Sequence, residues 1–295
     1  MSGYERTLIT GGGGMLATAL ARTLRERGTA EPVVLDRAGL DVTKSDAVEE
    51  ALARHAPTLV INCAAYTKVD LAEQESALAT SINGAGPANL ARFCKERGAT
   101  LVHYSTDYVF DGTLRRPLRP DDPVGPQSAY GRSKLIGEQT IQGVPSLEHL
   151  IIRTAWLYGL NGPNFVRTMV NAAKAGKPLR VVNDQLGTPT YTCDLASATL
   201  DLLDRGARGV WHLTNAGETN WFDFARAIFQ EWGLQPDLQP TTSDAWKAQR
   251  PDSAIRPAYS VLDVTPYERL VGQPMRKWRD ALAAFKAEVD RSGAF

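Results

Sequence analysis

Thr7-Leu8-Ile9-Thr10-Gly11-Gly12-Gly13-Gly14-Met15-Leu16-Ala17 is the stretch that decides the fold. Four residues with strand character run into four glycines, and a helical pattern opens at Met15 and continues to Arg27. Glycines let a backbone turn sharply and come close to a pyrophosphate, and a helix that starts there offers free N–H groups and the positive end of its dipole. Gly11 and Gly14 hold the first two positions of a G-x-x-G-x-x-G pattern, Ala17 takes the third, and Met15 and Leu16 supply the first helical amides. The third position needs a small side chain for helix–sheet packing, which alanine satisfies. Taken alone the glycines mark only a flexible loop; their place between a first strand and a first helix makes a dinucleotide-binding turn the better reading. Asp36, at the end of a second strand read over Pro32–Asp36, stands where an acid can bind the ribose hydroxyls of an adenosine. The neighbouring Arg37 would instead attract a 2′-phosphate, so the two cues conflict and both NADPH and NADH are expected.

Outward from this turn, short apolar runs alternate with helical spacing. Strands are read at Leu59–Asn62, Thr100–Ser105 and Leu150–Arg153, and helices at Ser45–His55 and Glu75–Lys95. That alternation implies βαβ units and an α/β fold, a Rossmann-type doubly wound parallel sheet covered on both faces. After about residue 156 proline and glycine become denser and the strands scatter, while helical stretches persist at Asn164–Ala175, Cys193–Asp204, Trp221–Trp232 and Lys277–Val289. This predicts residues 1–155 as the dinucleotide domain, with returning segments near 186–215, and 156–295 as a smaller, interleaved α/β substrate lobe. Residues 111–128 hold four prolines and read as an ordered surface loop near the site.

Tyr130-Gly131-Arg132-Ser133-Lys134 puts a phenol and an ammonium four residues apart, on one face of a helix. A phenol is a poor acid near neutrality, and a nearby ammonium is expected to bring its pKa down. Such a tyrosine can protonate a carbonyl oxygen as hydride arrives at its carbon. A surface Tyr beside a solvated Lys has the same spacing, so the setting carries the argument. The fourth strand ends in Ser105-Thr106-Asp107, and in a doubly wound sheet that end faces the ligand cleft. Thr106 is then placed to hydrogen-bond the same carbonyl oxygen; a turn cap is its blander role.

Composition bounds the partners. The chain has 295 residues, with 33 basic and 33 acidic side chains and no basic run, so nucleic-acid binding has no electrostatic footprint. No apolar stretch is long enough to span a bilayer, Met1–Arg6 carries no signal pattern, and the three cysteines, Cys63, Cys94 and Cys193, read as buried thiols of a reducing, cytoplasmic compartment. The four histidines form no metal-ligand spacing with them, so no zinc site is expected.

The chain resembles the extended short-chain dehydrogenase/reductases, and within them the dTDP-4-dehydrorhamnose reductase family. The resemblance runs nearly the whole length: Leu40-Asp41-Val42-Thr43, Asn62 through Asp70, His103-Tyr104-Ser105-Thr106-Asp107-Tyr108-Val109-Phe110, the Tyr130–Lys134 segment, Arg153 through Tyr158, Asn183 through Thr190, and Arg256-Pro257-Ala258-Tyr259-Ser260. It implies Thr106, Tyr130 and Lys134 as the catalytic set. It implies Asp41 and Val42 beside the adenine, and Ala64, Ala65 and Thr67 along the cofactor cleft. Asp107, Tyr108, Trp156 and Asn164 would face the sugar nucleotide, with the Trp156 plane packed on the sugar and the Asn164 amide on a hydroxyl or the diphosphate. The guanidinium of Arg256 suits a diphosphate, or else forms a surface ion pair. The implied reaction is reduction of the 4-keto group of dTDP-4-dehydro-L-rhamnose, the last step of dTDP-L-rhamnose synthesis. Some members form metal-bridged dimers through an acidic residue of the first helix; the matching position here is Ala19, so magnesium is doubtful and a monomer or weak homodimer is expected. A nucleotide-sugar epimerase or dehydratase shares the fold, but a dehydratase would want an Asp-Glu pair after Thr106, and Asp107 is followed by Tyr108. A regulatory subunit of methionine adenosyltransferase type also shares it, without needing turnover.

Overall fold

A computed structural model describes residues 5–294; the expectation for Met1–Arg6 lies mostly outside the described residues. Strand β1 (Thr7–Thr10), helix α1 (Met15–Glu26), β2 (Val33–Leu35), α2 (Ser45–His55) and β3 (Leu59–Asn62) come first. They are followed by α3 (Ser76–Thr80), α4 (Gly86–Arg97), β4 (Thr100–Thr106), α5 (Ala129–Gln142) and β5 (His149–Thr154). The second half contributes β6 (Leu157–Tyr158), α6 (Phe165–Lys174), β7 (Leu179–Val182), β8 (Leu186–Gly187), β9 (Thr190–Tyr191), α7 (Thr192–Asp204) and β10 (Gly209–His212). It ends with β11 (Thr219–Asn220), α8 (Trp221–Trp232), β12 (Leu238–Thr241), α9 (Ser243–Gln249), α10 (Thr265–Val271) and α11 (Trp278–Ser292).

The main sheet is parallel throughout, in the order β10-β5-β4-β3-β1-β2. The chain steps outward from β1 to β2, then crosses back to β3 on the other side of β1. The C-terminal end of β1 is therefore the switch point, where open α/β sheets bind their ligands. Every residue of β1 and β3 is buried, because helices cover both faces. On one face Ile9, Ile61, Val102 and Ile152 pack on Leu20 and Leu24 of α1 and on Leu195 and Leu202 of α7. On the other, Leu8, Val60, Leu101 and Ile151 pack on Leu52 of α2 and Leu90 of α4. A third core joins α6, α8 and α11 through Val170, Phe224, Ile228 and Phe285.

The single helix expected over Glu75–Lys95 is interrupted. Between α3 and α4 the backbone widens into a π-helical turn, Ser81–Ala85. The cause is Asn83, whose Oδ1 accepts from the Tyr66 N–H at 2.8 Å while its Nδ2 donates to the Tyr66 carbonyl at 3.0 Å and to Ser133 Oγ at 2.9 Å. The wider turn aims one side chain at both the cleft wall and α5, as such bulges commonly do at functional sites. The proline-rich loop is tied down by a bidentate Arg116–Asp122 pair at 2.7 Å and by Leu118 packing on Leu262. Of the cysteines, all free, only Cys94 is buried; Cys63 and Cys193 are partly exposed. Among the described residues no helix is long and apolar enough to cross a membrane, and no cluster of three acidic, His or Cys side chains is placed to hold a metal.

Candidate active site

The glycine turn sits at the switch point. Gly11 adopts φ +73°, and a Cβ there would come within 2.7 Å of the Ala64 nitrogen, so only glycine lets the turn lie on the end of β3. Gly12 N–H donates to the Leu35 carbonyl at 2.9 Å, fixing the turn to β2. Gly14 caps α1 without any side-chain hydrogen bond, and no acidic residue stands in the first turn. The leading amides of α1 thus face the cleft with an uncompensated positive dipole, which fits a pyrophosphate. Leu16 and Val42, expected beside the cofactor, are buried in the cores, so their side chains pack and only their backbones are available to a ligand. Met15 and Ala64 are half-buried, and Ala65 and Thr67 are exposed. Asp36 and Arg37 are both exposed, and Asp36 Oδ1 accepts from the Gly39 N–H at 2.8 Å. Asp41 is turned onto its own loop, accepting from the Thr43 N–H at 3.0 Å and hydroxyl at 2.7 Å.

The chemistry gathers where β4 ends and α5 begins. Ser128 caps α5, accepting from the Gly131 N–H at 3.1 Å. A Cβ on Gly131 would sit 2.3 Å from the Tyr108 carbonyl, so glycine lets α5 start against the turn after β4. This brings Tyr130 beside Thr106 at the end of β4 and against Tyr108, whose ring meets it edge-on at 5.5 Å. Burial pushes the Tyr130 phenol up to about 12 against the pull of the Thr106 hydrogen bond. The expected lowering by Lys134 is not seen, because the ammonium is spent elsewhere: Nζ donates to the Tyr104 carbonyl at 2.5 Å and lies 3.2 Å from His103 Nε2. Burial, at 2% exposure, pushes Lys134 down to about 8. A phenol that keeps its proton is the form a general acid needs.

Asp107 is 1% exposed. Its Oδ1 accepts from the Thr106 hydroxyl at 3.0 Å, and its Oδ2 is buried with no hydrogen-bond partner. Burial raises it to about 6, although the Ser260 and Thr106 hydroxyls beside it pull the other way. Arg256 closes this side: it pairs with Asp70 at 2.9 Å, lies beside Tyr108, and is only 24% exposed, so it is neither a free surface charge nor an unpaired one.

Two substrate expectations change. Asn164 caps α6, accepting from the Arg167 N–H at 3.0 Å, while its Nδ2 donates to the Gly159 carbonyl at 2.9 Å and contacts Met15 sulfur at 3.6 Å. Both ends of its amide are committed to structure, so it is a joint between α6 and the α1 mouth rather than a hand for a hydroxyl. Trp156 has one face stacked on Trp221 at 3.6 Å and 14°, and its ring also lies against Gly187. Its backbone is held at φ +49°, a conformation that L-residues resist. One plane of the indole is therefore already covered by Trp221.

Sequence reasoning missed Asn62, His103, Asp70, Ser260 and Trp221. The first two carried a usable signal, since polar residues inside strands buried on both faces are unusual.

The described chain from residue 5 to 291 matches the model of the RmlD substrate binding domain. A dTDP-4-dehydrorhamnose reductase of Streptomyces griseus is 44% identical over 99% of this chain and 98% of its own. A dTDP-4-keto-6-deoxy-D-glucose reductase of Streptomyces niveus is 42% identical over 94% and 95%. A dTDP-4-dehydrorhamnose reductase of Bacillus anthracis, solved in complex with NADP, superposes with a TM-score of 0.88 at 35% identity, covering 96% of this chain and 99% of that one. With a six-stranded Rossmann sheet, a glycine turn at its switch point and a Thr–Tyr–Lys set beside it, the chain belongs to the RmlD family of dTDP-4-dehydrorhamnose reductases.

Proposed function

We propose that the protein reduces the 4-keto group of dTDP-4-dehydro-L-rhamnose to give dTDP-L-rhamnose, with Tyr130 as proton donor. The observation that carries this is the placement of Tyr130, in the first turn of α5, beside Thr106 at the C-terminal edge of β4, the sheet edge on which the glycine turn also lies. NADPH or NADH, when bound, supplies the hydride. Gly11, Gly14 and the amides of Met15 and Leu16 would hold its pyrophosphate, Asp36 and Arg37 its adenosine end, with Asp41 and the Val42 backbone beside the adenine, and Ala64, Ala65 and Thr67 its path along the cleft. Thr106 and Tyr130 would grip the keto oxygen from two sides, and the Tyr130 proton moves to that oxygen as the carbonyl is reduced. Asp107 Oδ2, buried and unpartnered, is an acceptor for a sugar hydroxyl. Arg256, set against Tyr108, would meet the diphosphate, exchanging part of its pairing with Asp70.

We further infer a division in which residues 1–155 with the returning α7 and β10 bind the dinucleotide and the rest of 156–295 binds the sugar nucleotide. The enzyme would work in the cytoplasm as a monomer or weak homodimer, without a bridging metal, since Ala19 offers no oxygen ligand. The test is nicotinamide oxidation on addition of the dTDP-4-keto sugar. Tyr130→Phe should lower kcat by about 10²-fold or more and keep cofactor binding. Near-normal turnover in that variant would remove Tyr130 from the mechanism, and no oxidation by the native protein would remove the reaction.

A further inference from the structure

A row of polar side chains crosses the sheet behind the catalytic lysine. Thr10, Asn62 and His103 are in register on three adjacent strands, β1, β3 and β4. They share the face on which Leu8, Val60 and Leu101, two residues back on each strand, pack into the core. Each is at most 1% exposed. Three polar residues on the central strands of a buried sheet are costly unless each is hydrogen-bonded, and here each is.

The direction of these bonds follows from one donor whose identity is fixed. The backbone N–H of Ala64 points into the row, 3.3 Å from Thr10 Oγ1 and 3.2 Å from Asn62 Oδ1. An N–H can only donate, so the oxygen of the Asn62 amide is the end turned towards Ala64, where it also accepts from the Thr10 hydroxyl at 2.6 Å. The Nδ2 end then faces His103 Nδ1 at 3.0 Å and must donate to it. A ring whose Nδ1 accepts is neutral and carries its proton on Nε2. That Nε2–H lies 3.2 Å from Lys134 Nζ, which can accept it only through the lone pair of an uncharged amine.

We propose that His103 is a positioning residue of the reductase, which holds Lys134 by donating its Nε2–H to the amine and so stabilises the uncharged form of the lysine. The proposal rests on the reductive role given above to Tyr130. It concerns the step that resets the site. When the Tyr130 proton has passed to the keto oxygen, the phenolate regains a proton whose source in this proposal is the Lys134 ammonium, one turn along α5. The lysine is left as a neutral amine until a solvent proton recharges it before the next turnover, and its lone pair is the acceptor that His103 is oriented to meet. No net charge is created among the buried groups by that transfer: one ammonium and one phenolate become one amine and one phenol. The Tyr104 carbonyl continues to accept from Nζ on either side of the step.

The other groups facing Lys134 do not offer the same service. Glu138, one turn along α5, favours the ammonium but is itself engaged by Arg153 of β5 through two hydrogen bonds, at 2.9 and 2.7 Å. Cys63, after β3, is kept a neutral thiol by burial, so it offers the ammonium no opposing charge. His103 is the titratable neighbour held neutral by its burial, far below the usual imidazole range. Its link through Asn62 to the Ala64 N–H also joins the lysine to the wall of the cofactor cleft.

Two measurements test this. In the native protein with NADPH bound, ¹⁵N resonances of the His103 ring should show a neutral Nε2–H tautomer from pH 6 to 9; a proton on Nδ1, or an imidazolium, overturns the proposal whether or not the enzyme turns over. In the pH profile of kcat/KM, His103→Phe should move the alkaline limb upward by about one pH unit, the worth of one buried hydrogen bond, because the ammonium is then lost less readily. His103→Gln, which can place an N–H near the Nε2 position, should return the limb towards its native place. A limb that stays fixed, or moves down as it would if His103 accepted from the ammonium, overturns the proposal. If the Phe variant does not fold, the tautomer decides alone.

Discussion

Asp107→Asn should stabilise the protein above pH 6 while weakening its hold on the sugar. The carboxyl is 1% exposed, has one oxygen without a partner, and is raised by burial from 3.8 to about 6. The folded state therefore binds this proton more tightly than the unfolded chain does. Stability from the protonated group is fully present below about 3.8 and is lost as pH rises through about 6. The displacement of 6 − 3.8 is about 2 units, worth about 3 kcal/mol at 1.36 kcal/mol per unit. Asparagine keeps the shape and the acceptor for the Thr106 hydroxyl but carries no charge. Its new amide N–H meets the Ser260 hydroxyl less than ideally, at a cost of about 1 kcal/mol or more. The net gain at pH 8 should be about 1–2 kcal/mol, shrinking or reversing by pH 5, where native Asp107 is largely protonated. Urea denaturation of both proteins at pH 5 and pH 8 measures it. A stability difference that is the same at both pH values would refute the buried-charge argument. Separately, kcat/KM for the keto sugar should fall about 10-fold or more, the size of a lost charge-assisted hydrogen bond, with NADPH affinity unchanged. A variant with native kcat/KM would show that Asp107 Oδ2 does not touch substrate.

Arg37→Ala should raise KM for NADPH more than for NADH, because the exposed guanidinium can reach a 2′-phosphate; equal changes would show that it does not. Activity should survive a chelator unchanged, and inhibition reversed by magnesium would contradict the reading of Ala19. Trp156→Ala should lower kcat/KM for the keto sugar and leave NADPH affinity intact; because the indole is stacked on Trp221, it should also cost about 3 kcal/mol of stability. Trp156→Gly should be about 1 kcal/mol more stable than the alanine variant, since glycine accepts φ +49° without strain; equal stabilities would mean that the backbone there is unstrained.

What could be read in the sequence was what local pattern controls. The glycine turn, the buried strands and the strongest helices announce themselves through spacing; the helix read at Trp221–Trp232 has those bounds in the structure, where the Asn220 side chain caps it by accepting from the Asp223 N–H. Even α9 and α10, each seven residues long, escaped notice because two turns carry too little periodicity. The side chains of the second half were less legible for a different reason. Asn164 reads equally well as a helix cap or as a ligand group, and only its contacts with Gly159, Arg167 and Met15 separate the two.

The site itself lies where local rules are broken. A π-helical turn interrupts a helix to present Asn83, a tryptophan adopts a left-handed backbone, a carboxyl is buried without a full set of partners, and a lysine is 2% exposed. Each departure costs stability, and the surrounding structure must over-determine it. The Thr10–Asn62–His103 row shows how that is done and why one residue at a time could not reveal it. Each member alone is an ordinary satisfied polar group in a core. Only the register of β1, β3 and β4 makes them consecutive, and only the backbone N–H of Ala64 gives the row a direction. The same three strands that carry the glycine turn and the Thr106 terminus thus orient the lysine from behind, so the Rossmann sheet supplies part of the proton chemistry as well as the platform for it.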